Sequence, residues 1–484
     1  MIKTRISLGI VISILFFSSC AQKGEYFEDT LCIENVSLID PEKGLIANKT
    51  VLIRDEKIYK VVTANELQLS PKNNIIDGTG KFLIPGLWDA HVHFAYLEEL
   101  APSMFNLFLG YGITSVRDTG GRIDFVKKWK DKSLKNPTEA PRVMIAGPLL
   151  DGLPNVYDGS DPGHPPLSVG LASVEDAQNK VNELDALGVD LLKAYEMLTE
   201  EQFRAITKLG NEKGLKVTGH VPLSMDVVSA SNAGLNSMEH LRNLELSCAS
   251  NADELLQERR NLLLAEKDSA GGILRSKIHQ LQREIAIKNY DESKADEILK
   301  VLAKNQTWQI PTLALNTGLV TQHFTKAEMV ASYAHLPEAI QENWKQTSKT
   351  IVGMKITPFR KKYADWSLNM VRKIHKAEIG IMAGTDCPIF LLTPGFSLHE
   401  ELAMLVKAGL TPLEALKTAT INPAIYFNME KELGNIKENM WADLVLLDAN
   451  PLENINNTKQ INTVIKQGKA FNRMQLDALL KDKP

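Results

Sequence analysis

The sequence predicts an α/β fold, a (β/α)8 barrel joined to a β domain to which both ends of the chain contribute. Between the two ends, short apolar runs alternate with amphipathic stretches, which is typical of βα units and a parallel sheet. Eight of these runs can be counted, and eight strands close such a barrel. At both chain ends, in contrast, β-type runs follow one another without helices between them.

The first element is an export signal and not part of the fold. Basic residues precede an apolar run from Ile6 to Phe17, which is too short to span a membrane. The small residues before Cys20 resemble a bacterial lipobox, although Phe17 stands where leucine is commonest. The resemblance implies a signal peptide over residues 1–19, a lipidated Cys20, and a chain exported to the cell envelope and held at a membrane. An ordinary cleaved signal with an incidental cysteine is the alternative.

The β domain is predicted from two segments, residues 20–84 and 430–475. The first holds the runs LCIENVSLID, KTVLIRDEKIYKVV and NIIDGTGKFLI, separated by residues that favour turns. The second holds ADLVLLD and INTVIKQGKA on either side of the turn-prone pair Asn450-Pro451. Because the two segments share this pattern, we expect them to form one discontinuous domain.

Residues 85–429 are predicted to form the barrel. The candidate strands are LIPGLWDAHVHF, GITSVRDTG, RVMIAGPLL, VDLLKAY, LKVTGHV, SMEHL, WQIPTLAL and IGIMAGTD. A charged, leucine-containing stretch at about residues 250–305 interrupts the alternation. We interpret it as a helical insertion, either a solvated hairpin or a mobile lid over the site. The loop 151–170 follows the third strand and is expected at the active site.

Composition and charge exclude other classes of function. The chain has 55 Lys+Arg and 59 Asp+Glu residues, a net charge of −4, which excludes a nucleic-acid binder that relies on bulk positive charge. With 44% hydrophobic residues the chain can bury a large core. Its four cysteines are scattered and give neither a disulfide framework nor a zinc-binding spacing.

Groups that bind metals or move protons close five of the eight predicted strands. They are His91 and His93, Lys193, His220, His240, and Asp386. The first two histidines are two residues apart, so on a strand both imidazoles point to one face and can bind one cation. Burial would lower the pKa of the Lys193 amine and allow CO2 to carbamylate it. Each residue alone could be structural, but their joint order at successive strand ends favours a metal site.

With these residues in place, the chain resembles the metal-dependent amidohydrolase superfamily, and within it the imidazolonepropionase-like and prolidase-like branch. The matching motifs are IPGLWDAHVHF, GITSVRD, VDLLKAYEML, VTGHVP, SMEHL, MAGTD, ATINPA and WADLVLLDANP, which span nearly all of the mature chain. The resemblance implies a (β/α)8 barrel with a composite β-sandwich formed from both chain ends.

The resemblance also implies two bound divalent metal ions. The ligands it assigns are His91, His93 and Asp386 for the first ion, His220 and His240 for the second, and carbamylated Lys193 as the bridge. Zinc is the usual metal and suits imidazole and carboxylate ligands, while iron, manganese and cobalt stay open.

The implied function is hydrolysis of an amide or cyclic amide C–N bond in a small molecule or dipeptide, including dipeptidase activity of the prolidase type. Two cations would lower the pKa of a shared water molecule and so generate a hydroxide nucleophile. Asp386 would accept the proton of this water as general base and pass it to the leaving nitrogen as general acid.

Two alternatives stay open. One is a mononuclear deaminase of the same superfamily, which usually carries a glutamate shortly after the fifth-strand histidine. Here His220 is followed by Val221-Pro222-Leu223-Ser224, which weighs against it. The other is a lipid-anchored binding protein on a decayed barrel, against which the complete set of ligands argues.

Further residues are candidates for contacts around the metals. Tyr195 lies two residues after the predicted lysine ligand and could bond to substrate, or pack in the barrel. His399 follows the eighth strand and His164 lies in the loop after the third, where it could bind a substrate carboxylate. Arg117 and Asp118 end the second strand, where we expect a salt bridge or contacts behind the ligands.

Overall fold

The structure is a computed structural model that describes residues 30–64, 73–160 and 163–483. The predicted signal peptide and Cys20 lie outside the described residues. None of the described helices is both long and apolar enough to cross a membrane.

Seventeen strands occur in the described residues, arranged in one mixed and two parallel sheets. In chain order they are β1 (Leu31–Asp40), β2 (Gly44–Arg54), β3 (Lys57–Thr63), β4 (Asn74–Asp77), β5 (Phe82–Pro85), β6 (Leu87–Val92), β7 (Ile113–Asp118), β8 (Arg142–Ile145), β9 (Leu149–Gly152), β10 (Ser168–Leu171), β11 (Leu191–Ala194), β12 (Lys216–Gly219), β13 (Ser237–Glu239), β14 (Trp308–Ile310), β15 (Leu444–Leu447), β16 (Ile461–Lys466) and β17 (Lys469–Asn472).

Eighteen α-helices accompany the strands in the described part of the chain. In chain order they are α1 (Ala101–Gly110), α2 (Ile123–Lys135), α3 (Val174–Ala186), α4 (Glu200–Glu212), α5 (Val227–Asn232), α6 (Leu244–Ser247), α7 (Ala252–Ala265), α8 (Gly271–Lys288), α9 (Glu292–Lys304), α10 (Leu313–Asn316), α11 (Gly318–Thr321), α12 (Ala327–Ser332), α13 (Glu338–Val352), α14 (Pro358–Lys376), α15 (Phe396–Ala408), α16 (Pro412–Thr418), α17 (Ile421–Tyr426) and α18 (Arg473–Lys481).

The mixed sheet joins the two ends of the chain. Its strand order is β17-β16-β15-β5-β1-β2-β3, with β4 paired to β1. β5 is the link, because it pairs in parallel with β1 and antiparallel with β15, where Leu83 lies opposite Leu446. Apolar side chains such as Ile33, Val51 and Ile465 form a separate cluster with these two leucines. The strands on either side of the helical part of the chain therefore share one sheet.

The two parallel sheets, β6-β7-β8 and β10-β9-β11-β12-β13-β14, confirm the prediction of an α/β fold. Most residues of these strands are buried, as expected for parallel strands covered by helices, whereas β10 at the end of its sheet is mainly half-buried. The Asp190 N–H donates to Ile145 O at 2.9 Å, and this bond links the end of β8 to the start of β11. The two sheets are therefore neighbours on this side.

On the other side the eighth predicted strand lies between β14 and β6. The run IGIMAGTD forms no regular strand. Ile381 within it makes a single parallel bridge to Gln309 of β14, and Cys387 directly after it makes one to Val92 of β6. Met382 N–H donates to Gln309 O at 3.0 Å, whereas Asp386 N–H donates to His91 O at 2.7 Å. Because Asp386 has a left-handed φ of 68°, the extended backbone is interrupted there.

Two further segments differ in detail from the sequence prediction. The seventh run ends as a strand at Ile310, since Thr312 has a left-handed φ of 44° and α10 begins at Leu313. The loop after the third predicted strand contains β10, which pairs in parallel with β9. Both differences lie close to the carboxyl ends of parallel strands, where the site residues are predicted.

The helices cover the parallel sheets with one apolar face, as α4 illustrates. Thr199 and Gln202 form a reciprocal capping box that starts this helix. Phe203 and Ile206, which follow, are fully buried in the main apolar core. Burial of such a face, rather than helix propensity, supplies most of the stability of a helix of this length.

The segment predicted as a helical insertion consists of α7, α8 and α9. Leu274 and Ile278 of α8 belong to the main apolar core. Arg259 of α7 is buried and donates at 2.9 Å both to Gln282 of α8 and to Asn243, which follows β13. The insertion is therefore packed against the rest of the molecule at the ends of the parallel strands.

Candidate metal centre

The first part of the site is formed by His91, His93 and Asp386. β6 is buried along its whole length and carries one histidine within it and the other directly after it. The two Nε2 atoms are 3.3 Å apart, and each lies 3.1 Å from Asp386 Oδ1. One ligand atom from each of these buried residues lies within 4.8 Å of the others. These three residues make a candidate metal site.

The second part is formed by Lys193, His220 and His240. The His240 ring centroid lies 4.7 Å from that of His91 and 5.0 Å from that of His220. Lys193 Nζ is buried and has no hydrogen-bond partner among the described residues. Both parts line one cavity, so the structure brings together all six residues predicted from the strand ends.

Each of the four imidazoles is held from behind by its Nδ1 atom. The partners are Glu239 for His91 (2.6 Å), the Gly120 carbonyl for His93 (3.1 Å), Glu196 for His220 (2.5 Å) and the Thr312 hydroxyl for His240 (2.7 Å). A neutral imidazole carries one proton, and donation from Nδ1 leaves a lone pair on Nε2. The four Nε2 atoms are therefore available to a metal, as is typical of metal-binding histidines.

The first part of the site needs a cation among its atoms. With neutral rings, the Nε2 lone pairs of His91 and His93 both face Asp386 Oδ1, and three electron-pair donors at such short range repel one another. Burial opposes a charged imidazolium, but Asp386 and Glu239 raise the pKa of His91, so a proton can supply the positive charge. A metal ion fits the same place and satisfies all three donors at once.

Glu239 connects the first part of the site to the inner strands. Besides His91 it accepts a hydrogen bond from Arg117 Nη2 at 2.8 Å and contacts the Thr218 hydroxyl. Burial opposes its ionisation, but Arg117 and Lys193 hold the pKa of Glu239 well below its usual range. The salt bridge expected for Arg117 is thus confirmed, and its partner directly precedes the predicted ligand His240 in the chain.

Glu196 connects the second part of the site to the helical insertion. Its carboxylate accepts from His220 Nδ1, from His279 Nε2 at 2.5 Å and from Arg275 Nε at 3.3 Å, the last two being residues of α8. Burial opposes ionisation here too, but Arg275 and His279 hold the pKa of Glu196 well below its usual range. An element that interrupts the strand pattern therefore helps to hold a predicted metal ligand.

Burial lowers the pKa of Lys193 to about 8, although Glu239 at 3.9 Å acts in the opposite direction. About a tenth of such an amine is neutral at pH 7, far more than for a solvated lysine. A neutral, unpartnered amine on a strand end is a nucleophile, in contrast to a solvated surface lysine.

The residues predicted to contact substrate fall in different places. Tyr195 lines the cavity, with its ring 4.4 Å from that of His220. His164 lies beside Tyr157 at a centroid distance of 5.5 Å but does not itself line the cavity. His399 is fully buried, with its ring nitrogens bonded to Thr458 at 2.9 Å and to the Tyr111 carbonyl at 3.0 Å, so the structure does not bring it to the site.

Three polar lining residues were not found by sequence reasoning. They are Tyr157, Arg242 and Arg275. Arg242 could have been suspected, because it follows the predicted ligand His240 by two positions. Arg275 carried no such signal, since nothing in the insertion indicates which of its many charged residues turns inward.

Comparisons with known proteins identify a family and several relatives. The model of the amidohydrolase family matches residues 82–471 of this chain. An imidazolonepropionase from Geobacillus sp. (strain WCH70) is 25% identical over 444 residues, which cover 88% of this chain and 91% of that protein. A 5-methylthioadenosine/S-adenosylhomocysteine deaminase from Clostridium tetani (strain Massachusetts / E88) is 22% identical over 433 residues, 87% of this chain and 86% of that protein.

Solved structures share the fold at lower identity. A Xaa-Pro dipeptidase with methionine bound in its active site superposes with a TM-score of 0.65 at 18% identity, covering 92% of this chain and 100% of that one. At this identity the likeness concerns the fold alone.

Proposed function

Because the chain belongs to the amidohydrolase family and is a hydrolase that acts on C–N bonds, we propose that it cleaves an amide or cyclic amide bond in a small molecule or dipeptide with two bound divalent metal ions. The observation that carries this proposal is the inward orientation of four Nε2 atoms around one buried carboxylate and one unpartnered lysine. Several electron-pair donors that face one buried space are the arrangement that binds metal cations.

The donor set divides into two groups. His91, His93 and Asp386 would hold the first ion, and His220 with His240 the second. Imidazole and carboxylate ligands suit zinc best, with iron, manganese and cobalt as substitutes. When bound, the ions supply Lewis acidity toward water and toward the substrate carbonyl.

Asp386 is the residue that moves the proton. Burial opposes its ionisation, but His91 and His240 hold its pKa well below the usual range, so it is a carboxylate at neutral pH. It accepts a proton from the attacking water and gives it to the leaving nitrogen as the C–N bond breaks, so that one proton is balanced through the cycle. Its Oδ2 lies 3.7 Å from His240 Nε2, which places it between the two groups of ligands.

Lys193 is proposed to react with CO2 and become the carbamate that bridges the ions. Its neutral amine forms the N–C bond, and one proton is released to solvent. The unpartnered, buried Nζ supports this proposal, because an anionic carbamate would find positive charge on both sides of the site. Labelling with 13C-bicarbonate should give a carbamate resonance in the wild type that is absent from Lys193→Met.

The same proposal extends to the architecture. Strands β6, β7, β8, β11, β12, β13 and β14, with residues 381–387 in the eighth place, would form the (β/α)8 barrel. The bridges from this segment to both β14 and β6 support closure. Residues 20–84 and 430–475 would form the composite β-sandwich, and residues 85–429 the barrel with its insertion.

The test is metal content together with turnover. The chain beginning after Cys20 is purified, supplied with zinc or manganese, and analysed by elemental mass spectrometry. It is then assayed with Xaa-Pro and other dipeptides, N-acyl amino acids and cyclic amides. Two ions per chain and release of an amine product are expected. One ion per chain with release of ammonia from an aminopurine nucleoside would replace the proposal by deamination.

We also propose that the protein is anchored to a membrane of the cell envelope through lipidated Cys20. The support is the charged, apolar and small-residue pattern of the first twenty residues. One lipid-modified cysteine would hold a globular enzyme at a membrane without any spanning helix.

A further inference from the structure

Two arginines stand between the candidate metal centre and the surface. Arg242 and Arg275 line the cavity that contains the predicted ligands, next to Tyr157 and Tyr195. The same two arginines also line an outer groove, which they share with Arg360 of α14. A molecule that passes from the groove to the metal centre must pass these two guanidinium groups.

Neither arginine has the partners that a buried guanidinium normally requires. The Nε atom of Arg242 is buried, and it has no hydrogen-bond partner within the described ranges. Arg275 makes one side-chain bond, from Nε to Glu196 at 3.3 Å, although only 14% of its side chain is exposed. Its terminal nitrogens have no partner among the residues that the structure describes. Buried donors without acceptors are unfavourable, so a site that keeps them is arranged for an incoming acceptor.

The surrounding groove has the same sign of charge. Arg283 and Arg360 add two guanidinium groups, whereas Glu284 is the one carboxylate that lines the groove among the described residues. Arg283 is already paired, because its Nε donates to Glu245 at 2.9 Å. Arg275 shares the Glu196 carboxylate with His220 and His279, so it is only partly neutralised. The remaining positive charge lies at Arg242 and Arg360, and it draws anions toward the cavity.

From this placement we propose that Arg242 and Arg275 form a carboxylate-binding subsite, so that the enzyme selects amides that carry a carboxylate near the reacting bond. The inference rests on the proposed function and names the class of its substrates. A guanidinium binds a carboxylate with two parallel N–H bonds, which fixes orientation as well as affinity. The carboxylate has two sources, the α-carboxylate of the amino acid or an acidic side chain.

This assignment changes which residues are expected to bind the substrate carboxylate. The sequence pointed to His164 for a substrate carboxylate, but His164 does not line the cavity, whereas the two arginines do. One of them comes from the loop after β13 and the other from α8. The insertion would then contribute to specificity directly, through a side chain that touches the substrate.

The experiment measures binding to the metal-loaded enzyme by calorimetry with probes that are not hydrolysed. N-methanesulfonyl-L-alanine presents an α-carboxylate, the matching alaninamide presents none, and N-methanesulfonyl-L-isoglutamine presents only a side-chain carboxylate. We expect at least one acidic probe to bind about 10- to 100-fold tighter than the alaninamide. The preferred acid identifies the source of the carboxylate.

The variants assign this preference to the arginines. In Arg242→Gln and in Arg275→Gln the preference should fall to within about threefold, since each loses one of two charged donors. Arg275→Lys should keep part of it. Lys277→Gln is the matched control, because Lys277 lies on the same helix α8, pairs with Glu266 and is absent from the cavity lining.

Metal content is measured on every variant. Arg275 contacts Glu196 and its loss could disturb the centre, so Arg242→Gln, which removes no hydrogen-bond partner from any described residue, decides the matter. The inference is overturned if acid and amide probes bind the wild type alike. It is equally overturned if the acid keeps its advantage in metal-loaded Arg242→Gln, as a carboxylate bound only by the ions would.

The failure of the proposed function would look different. If the matching N-acetyl amino acids, other amides and dipeptides are not hydrolysed, C–N hydrolysis of such substrates is wrong, whereas the binding preference of the sulfonyl probes is measured without turnover. Hydrolysis of neutral and acidic amides at equal rates would leave the hydrolase in place and remove the subsite.

Discussion

The two halves of the candidate metal centre are supported in different ways. His91 and His93 are held by Glu239 and the Gly120 carbonyl, which belong to the parallel strands and the turn that follows β7. His220 is held by Glu196, which is itself held by Arg275 and His279 of the helical insertion. The first half is therefore supported by the parallel strands and the turn after β7, whereas in the second half His220 depends on α8 and His240 on Thr312.

This difference means that one half of the site is more open to change in sequence than the other. Hydrogen-bonded partners behind a metal ligand typically change affinity or activity by about 10- to 100-fold when they are removed. The strand-supported half cannot vary without disturbing the inner strands. The half supported by the insertion can be adjusted by residues of α8, which also line the cavity.

Asp386 is the residue common to both halves, and its replacement is expected to have the largest effect. Asp386→Asn should lower kcat by about a thousand-fold or more, because it removes both a charged ligand and the group that moves the proton. Steady-state kinetics on the preferred substrate measures this. Asp365→Asn, the same change at an exposed position of α14 outside the cavity lining, serves as the control for folding. Retention of more than a tenth of the wild-type kcat would contradict the assignment.

Replacing the two supporting carboxylates should affect the two ions differently. Glu239→Gln should weaken the ion held by His91 and His93, and Glu196→Gln the ion held by His220, each by about 10- to 100-fold. Competition with a metal-binding dye measures both affinities. Glu200→Gln is the control, because Glu200 pairs with Arg204 on the exposed side of α4. Equal loss of both ions in each variant would show that the halves are not independent.

The metal affinity should depend on pH through the strand-supported half. Burial opposes a charged ring, but Asp386 and Glu239 raise the pKa of His91 in the metal-free chain, so below that pKa a proton occupies the ring and must leave when a metal binds. Affinity should therefore fall as the pH falls, by about tenfold per unit below that pKa. Calorimetry in buffers of different ionisation enthalpy should detect about one proton released per first ion bound. Binding of the first ion without proton release below that pKa would contradict this assignment.

A smaller effect is expected one contact further from the metal. His279→Gln should weaken only the second ion, by about tenfold or less, because glutamine can still donate one hydrogen bond to Glu196. Elemental analysis at limiting metal measures this loss. Gln280→Ala changes the exposed neighbouring position on α8 and should have no effect. A loss of the first ion as well would show that α8 supports both halves.

The smallest effect on catalysis is expected from the anchor. Cys20→Ser should move the protein from the membrane to the soluble fraction of cells and leave kcat unchanged, because the described residues of the site are all far along the chain from Cys20. Fractionation followed by activity measurement tests both parts. Membrane partitioning that persists in Cys20→Ser would exclude lipidation at this residue.

Much of the site could be predicted because its residues close strands. In parallel strands, the ends of neighbouring strands meet, so His91, Lys193, His220, His240 and Asp386 are brought together by strand order alone. All of them line one cavity in the structure. His399 shows the limit of this reasoning, because a position shortly after the eighth strand was not enough to bring it to the cavity.

What the sequence by itself determined is the type of chemistry: the α/β pattern, the order of the strands and the identity of the candidate ligands, since these depend on local periodicity and on residue type. The tertiary structure decided which charges stand behind and beside those ligands. Glu196, Arg242 and Arg275 come together only when α8 packs across the strand ends, and no local pattern records that packing. Electrostatic support depends on distances through space between residues far apart in the chain, and these distances exist only in the folded molecule.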